Sequence, residues 1–166
     1  MVDWLQRLET LARRPACVIG LLSGTSADGI DAAVCRITPP PDLQDTAHFR
    51  VELLRHSRHP HDEEVHAWIA GADSLGARRL AEMHRRLGLR FGQACLDAMT
   101  AAGLSPGQVD LVGSHGQTLY HHSQVPGAER CTLQVGDGDH IAELTGLPVV
   151  SDFRAQARQR IIRCRR

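Results

Sequence analysis

The sequence predicts an α/β fold in which a three-strand antiparallel meander is followed by helix-separated parallel strands. Three observations carry this reading. Two apolar runs, "ACVIGLLS" and "IDAAVCRI", flank a short polar segment with a glycine at each end, the pattern of a hairpin. From about Leu75 to Ala102, the residues Leu80, Met83, Leu87, Phe91, Ala94 and Ala98 recur at three- and four-residue steps, the apolar stripe of one long amphipathic helix. The apolar runs after that helix are separated by helical stretches or long connections, as parallel pairing requires.

The elements follow in order. Asp3 can cap a short helix from about Trp4 to Arg14, which Pro15 ends. "ACVIGLLS" is a buried strand, and "IDAAVCRI" is its partner, stopped by Pro39, Pro40 and Pro41. "AHFRVELLRHS" completes the meander, with "GTSADG" as the first hairpin loop. Pro60 and His61 open an acidic helical stretch near Asp62 to Ala70. Gly103 ends the long helix after it. "VDLVGSH" reads as a short strand that stops at polar residues, "CTLQVG" as another strand, and "LPVVSDF" as the last. Asp137 or Asp139 can cap the helix that ends near Gly146. Polar clusters fall at the strand ends, at Ser114–Thr118 and at Ser151-Asp152, where open α/β sheets bind ligands.

Length and composition narrow the function classes. The chain has 166 residues, enough for one domain with a real core. Its formal net charge is zero, which gives no argument for nucleic acid or a membrane surface. All 19 basic residues are arginine, so a phosphate-binding lysine is ruled out. Cys17, Cys35, Cys95, Cys131 and Cys164 form no CxxC and indicate a reduced, cytoplasmic protein with buried thiols. A Cys17–Cys35 bridge across adjacent strands is geometrically feasible, but that compartment argues against it. No run reaches membrane-spanning length. The arginine-rich end lacks the interleaved aromatics of an RNA-binding segment.

Two segments carry candidate chemistry. In "GTSADGID", Gly24 and Gly29 permit close backbone approach, Thr25 and Ser26 offer hydroxyls, and the loop offers N–H donors to a phosphate. Asp28 and Asp31 are acids that can hold Mg²⁺, directly or through water. The Walker pattern is absent, and the plainer reading is a hairpin turn at Asp28-Gly29. In "GSHGQTLYHH", His115 can act as acid or base or bond a sugar hydroxyl, and Gln117 and Thr118 are hydroxyl-binding types. Its plainer reading is a polar loop with a structural histidine. Glu143 and Asp152 are candidate paired carboxylates whose spacing does not establish proximity. His56, His59 and His61, like His115, His121 and His122, lie close in sequence but match no HExxH pattern.

These blocks resemble a known family. "GLLSGTSADGID" is similar to the N-terminal signature of the anhydro-N-acetylmuramic acid kinases. "LGLRFGQACLDAMTAAGLSPGQVDLVGSHGQTLYH", "TLQVGDGDHIAELTGLPVV" and "SDFR" agree with it in order and spacing, from about Cys17 to Arg154. The resemblance implies an actin-like, hexokinase-like ATPase fold, of which residues 1–153 form the first, ribonuclease H-like domain. It implies that Gly24, Thr25, Ser26, Ala27, Asp28, Gly29, Ile30 and Asp31 form the first ATP phosphate loop, with Mg²⁺ and no Walker lysine. It implies that His115, Gly116, Gln117 and Thr118 line the amino-sugar cleft, and that the chain dimerises through its helices. The implied reaction opens 1,6-anhydro-N-acetylmuramic acid with water and phosphorylates it from ATP, in peptidoglycan recycling.

The sequence departs from the family at its end. Family members are about twice as long, and their catalytic Asp should fall five positions after Asp152, where this chain has Ala157. Residues 154–166 hold six arginines in thirteen positions, and the Gly-rich segment and second domain expected of the family do not follow. The expectations are a frameshift near codon 155 and a chain that is inactive alone. The alternative is a non-catalytic remnant or sugar-binding module.

Overall fold

A computed structural model of the chain describes residues 4–42, 44, 48–122 and 131–154. The element order is α1 (Trp4–Leu11), β1 (Ala16–Ser23), β2 (Gly29–Thr38), β3 (Arg50–Pro60), α2 (Glu63–Ala70), α3 (Ala77–Ala101), β4 (Leu111–His122), β5 (Cys131–Val135), α4 (Gly138–Thr145) and β6 (Val149–Ser151). The sheet runs β3-β2-β1-β4-β5, and β6 also pairs with β4. The mixed α/β fold predicted from the sequence is therefore the fold found, with the antiparallel meander β1–β3 at one side.

One face of the sheet is built to be buried. On β1 and β2, Ile19 pairs across to Val34 and Leu21 to Ala32, and all four are at most 2% exposed. They pack with Met83, Leu87, Phe91, Ala94 and Ala98 of α3 in one core, the stripe read from the sequence. Alternate positions face the other way, and there Leu22 and Val150 are each 44% exposed. Gly103 (φ +69°) closes α3. Its N–H donates to Thr100 O and that of Leu104 to Met99 O, which together form a Schellman cap.

Four expectations are corrected. Helix α1 ends at Leu11, short of Arg14, whose guanidinium instead bonds Asp110 at 2.6 Å; its proposed cap Asp3 lies outside the described residues. Strand β3 continues through Ser57 to Pro60, because an edge strand tolerates a proline that donates nothing to the ladder. Strand β5 runs antiparallel to β4, while β1, β4 and β6 are mutually parallel. Strand β4 does not stop at His115 but runs to His122.

That last difference has a local cause. Register is Leu21 to Ser114 and then Ser23 to Gln117, so β4 gains one residue over β1. This is a bulge, centred on Gly116 at φ +73°, where an added Cβ would stand 2.6 Å from Val135 O. A regular strand puts positions three apart on opposite faces. The extra residue restores Ser114 and Gln117 to the same, buried side, where they are 1% and 0% exposed. A polar stretch that reads as a loop is thus a strand whose polar side chains point into the protein.

The thiols also depart from expectation. Cys95 is buried and Cys17 and Cys35 are half-buried, all free, but Cys131 is exposed. Burial pushes the Cys95 thiol up to about 12, which leaves it inert. Cys164 lies outside the described residues.

Candidate nucleotide and sugar site

The hairpin loop Gly24–Asp28 stands at the C-terminal end of β1, as the sequence predicts. Ala27 occupies the left-handed region at φ 56°, an uncommon conformation for a residue with a Cβ and one concentrated at functional sites. The Ala27 N–H turns back to Gly24 O at 3.2 Å, and Asp28 O accepts the His61 N–H at 3.3 Å. Thr25, Ser26 and Asp28 are exposed while Ala27, Gly29 and Ile30 are buried.

Beneath the loop lies a buried polar cluster. Ser23 Oγ is 2.7 Å from Gly29 O, 2.5 Å from Gln117 Oε1 and 3.1 Å from His61 Nε2. Gln117 Nε2 donates to Gly24 O at 2.7 Å and to Thr118 O at 2.9 Å. Burial holds His61 below the ordinary histidine value, against the opposing pull of Gln117. Sequence reasoning assigned Gln117 to the sugar and passed over Ser23. His61 drew notice only at the opening of a helical stretch and as one of several nearby histidines. No local signal links positions 38 and 94 residues apart.

Asp28 and Asp31 differ. Asp31 Oδ1 lies 3.0 Å from His56 Nε2 and 3.4 Å from Arg58 Nε, so two side chains of the neighbouring strand already engage it. Asp28 is exposed on the loop and is the acid whose donor set better fits a hydrated divalent cation.

The second feature is a cleft of about 400 Å³ lined by Ser114, His115, Gly116, Asp137, Ser151 and Asp152, among others. It sits at a fork. Residues 112–114 of β4 pair with β6, residues 117–122 pair with β5, and His115 and Gly116 fall between the two ladders. Neither Gln117 nor Thr118 lines the cleft; both are buried. Asp152 does line it, in the left-handed region at φ 54°, whereas Glu143 is exposed on α4 and does not. The structure therefore does not join these two acids in the cleft.

Chemistry within the cleft is set by its walls. His115 is held below its ordinary value, chiefly by burial, so the neutral ring predominates at neutral pH. Its Nδ1 lies 3.2 Å from Gly116 O; a carbonyl only accepts, so Nδ1 carries the proton and Nε2 keeps a lone pair for a hydroxyl. Ser114 Oγ is buried and has no hydrogen-bond partner among the described residues, the state of a group whose partner is a ligand or water. Burial pushes the Asp137 carboxyl up, but the Asp139 N–H at 2.9 Å and His140 Nδ1 at 2.8 Å outweigh it and hold it low.

The far wall is pressed against α3. Asp137 N–H donates to His84 O at 3.0 Å, and Gly136 N–H to His84 Nδ1 at 3.1 Å. A Cβ on Gly88 would stand 2.6 Å from Asp137 O, so only glycine permits this approach. Sequence reasoning missed His84 and read Asp137 only as a helix cap; the glycines of "LGLRFGQ" and "VGDGD" were the available signal. Among the described residues, no helix is long and apolar enough to cross a membrane.

Comparisons with known proteins place the sequence in a family. The sequence profile of the anhydro-N-acetylmuramic acid kinase family matches residues 16–158. The anhydro-N-acetylmuramic acid kinase of Caldanaerobacter subterraneus subsp. tengcongensis is 40% identical over 149 residues, covering 84% of this chain and 36% of that protein. Its namesake in Xanthomonas campestris pv. campestris is 38% identical over 140 residues, covering 82% of this chain and 35% of that protein. This chain thus spans about a third of the length of the curated relatives it matches. The matched span takes in the meander, the loop after β1, helix α3 and the forked strand β4, and on it the chain belongs to the anhydro-N-acetylmuramic acid kinase family.

Proposed function

We propose that these residues form the nucleotide- and sugar-facing first domain of an ATP-dependent kinase of 1,6-anhydro-N-acetylmuramic acid, acting in peptidoglycan recycling and amino-sugar catabolism in the cytoplasm. The observation that carries the reading is placement. The Gly24–Asp28 loop stands at the C-terminal end of β1, and the His115 cleft at the C-terminal end of β6, just past the last β4 residue that pairs with it, where open α/β sheets hold ligands.

In this reading the loop N–H groups and the Thr25 and Ser26 hydroxyls hold the phosphates, and Asp28 orients a hydrated Mg²⁺. The metal, when bound, offsets phosphate charge. His115 Nε2 bonds a sugar hydroxyl, and Ser114 Oγ, buried behind the cleft wall, reaches the sugar through a bridging water. In the full reaction a carboxylate takes a proton from water, and the water oxygen bonds to the anomeric carbon. The bridging oxygen leaves that carbon and accepts the γ-phosphoryl group of ATP, giving N-acetylmuramic acid 6-phosphate and ADP. The position where the resemblance places that carboxylate is Ala157, and a methyl group cannot take the proton. Losing a catalytic base typically costs ~10²–10⁴-fold, so the 166 residues alone are expected to bind and not to turn over.

Calorimetry and a phosphate-transfer assay test this together. Binding of ATP with Mg²⁺ or of the anhydro sugar, without product, is the expected result. Product above the no-enzyme control overturns the inactivity, and absence of all binding overturns the site. The unpartnered Ser114 hydroxyl favours one second reading, a module that binds amino sugar without nucleotide; sugar binding with no response to ATP would select it. Dimerisation through the helices is read by sedimentation of the same sample.

A further inference from the structure

We infer that Gln117, acting with Ser23 and His61, is a positioning residue that sets the Gly24–Asp28 loop, and that it does not touch the sugar. The inference rests on the reading of that loop as a phosphate site.

Gln117 Nε2 faces two backbone carbonyls, Gly24 O and Thr118 O, so the amide has one admissible orientation and Oε1 faces Ser23 and His61. Ser23 Oγ carries one proton and has two acceptors in reach, Gln117 Oε1 and Gly29 O. A second proton is needed, and His61 Nε2 is the remaining atom that can carry it, 3.1 Å from Ser23 Oγ and 3.3 Å from Gln117 Oε1. The neutral His61 ring is therefore the Nε2–H tautomer. With it, every group in the cluster is satisfied; with the other tautomer, two lone pairs oppose each other in a buried site.

The consequence reaches the loop through the peptide bond. All peptide bonds among the described residues are trans, so the N–H of each unit points opposite its C=O. Gln117 holds the Gly24 carbonyl toward the buried cluster, which turns the Thr25 N–H away from it, to the exposed side of the loop. At the loop's other end the His61 N–H holds Asp28 O. One buried cluster thus pins both ends of the loop and aims its first donor outward, the arrangement an anion-binding turn needs.

The test uses the full 166-residue chain. Nitrogen NMR of His61 at pH 8 is expected to show a protonated Nε2, and a protonated Nδ1 overturns the proton count. Gln117→Leu is expected to keep cooperative melting and protected α3 amides, while the Ala27 and His61 amides exchange about tenfold faster, the scale of one lost hydrogen bond. Unchanged exchange at both amides overturns the proposal. Should that variant not fold, Gln117→Glu keeps the length and the acceptor end, loses both donors, and carries the same expectation. Thr145→Val, on α4, is the control for lowered stability alone and is expected to leave loop exchange unchanged; faster exchange there too overturns the assignment to Gln117.

Pyrophosphate titration separates the two readings. A saturable shift of the Thr25 amide that weakens about tenfold in Gln117→Leu, and not in Thr145→Val, supports both. No shift in the wild-type chain overturns the phosphate reading, and the exchange data then decide the positioning role alone. Equal affinity in wild type and Gln117→Leu overturns the positioning role and leaves the phosphate reading standing.

Discussion

Ser23 and Ser114 lie on neighbouring parallel strands and are each 1% exposed, yet their hydroxyls live in opposite circumstances. Ser23 Oγ has three polar atoms within 3.1 Å, whereas Ser114 Oγ has no partner among the described residues. A satisfied buried hydroxyl fixes structure, and an unsatisfied one carries a desolvation cost that a ligand or water can relieve. The contrast divides the site into a region that holds its shape and a region that waits for a molecule.

The largest effect should come from the residue that makes both circumstances possible. Gly116→Ala places a Cβ at φ +73° and 2.6 Å from Val135 O. It should cost about 2–4 kcal/mol, combining backbone strain with overpacking. Urea unfolding checks this, and an unchanged midpoint would remove the bulge as the organiser of β4. Ser23→Ala comes next. It strips a partner from Gln117, Gly29 and His61 at once and should cost about 1–3 kcal/mol by the same measurement.

A pH series sharpens the comparison further. His61 is held below 6.5 in the folded chain, first by burial, and His115 is lowered in the same way. The unfolded chain then binds more protons in acid, so stability is full above about pH 6.5 and is lost as pH falls below it. A denaturation midpoint that rises between pH 7 and pH 5 would contradict this sign. The smallest loss is expected for Ser114→Ala, which should be as stable as wild type or slightly more so, because it breaks no bond and removes an unsatisfied buried hydroxyl. The same variant should weaken sugar binding in calorimetry. If Ser114→Ala unfolds the chain as readily as Ser23→Ala, the division between the two regions fails.

The difference also shows what a sequence can disclose. The meander and the buried stripe of α3 were legible because periodicity and turn residues act over a few positions. The hairpin loop was legible for the same reason. Strand β4 was cut short because Ser114, Gln117 and Thr118 are polar, and polarity without knowledge of partners reads as solvent exposure. The partners of Gln117 are supplied by Ser23, Gly24 and His61, distant in the chain. A bulge compounds the difficulty by shifting the alternation in mid-strand, so that no single period describes the run. Asp31 shows the converse, an acid correctly placed beside the loop but engaged by His56 and Arg58 from the neighbouring strand.

The fork in β4 gives the cleft a mechanical character. His115 and Gly116 occupy the gap where one ladder has ended and the other has not begun. A molecule lodged there takes the place of a missing rung, and by bonding both sides it splices β6 to β5 through itself. Occupancy should therefore be felt along the sheet as stiffening, with slower amide exchange in strands that the ligand reaches only at their tips.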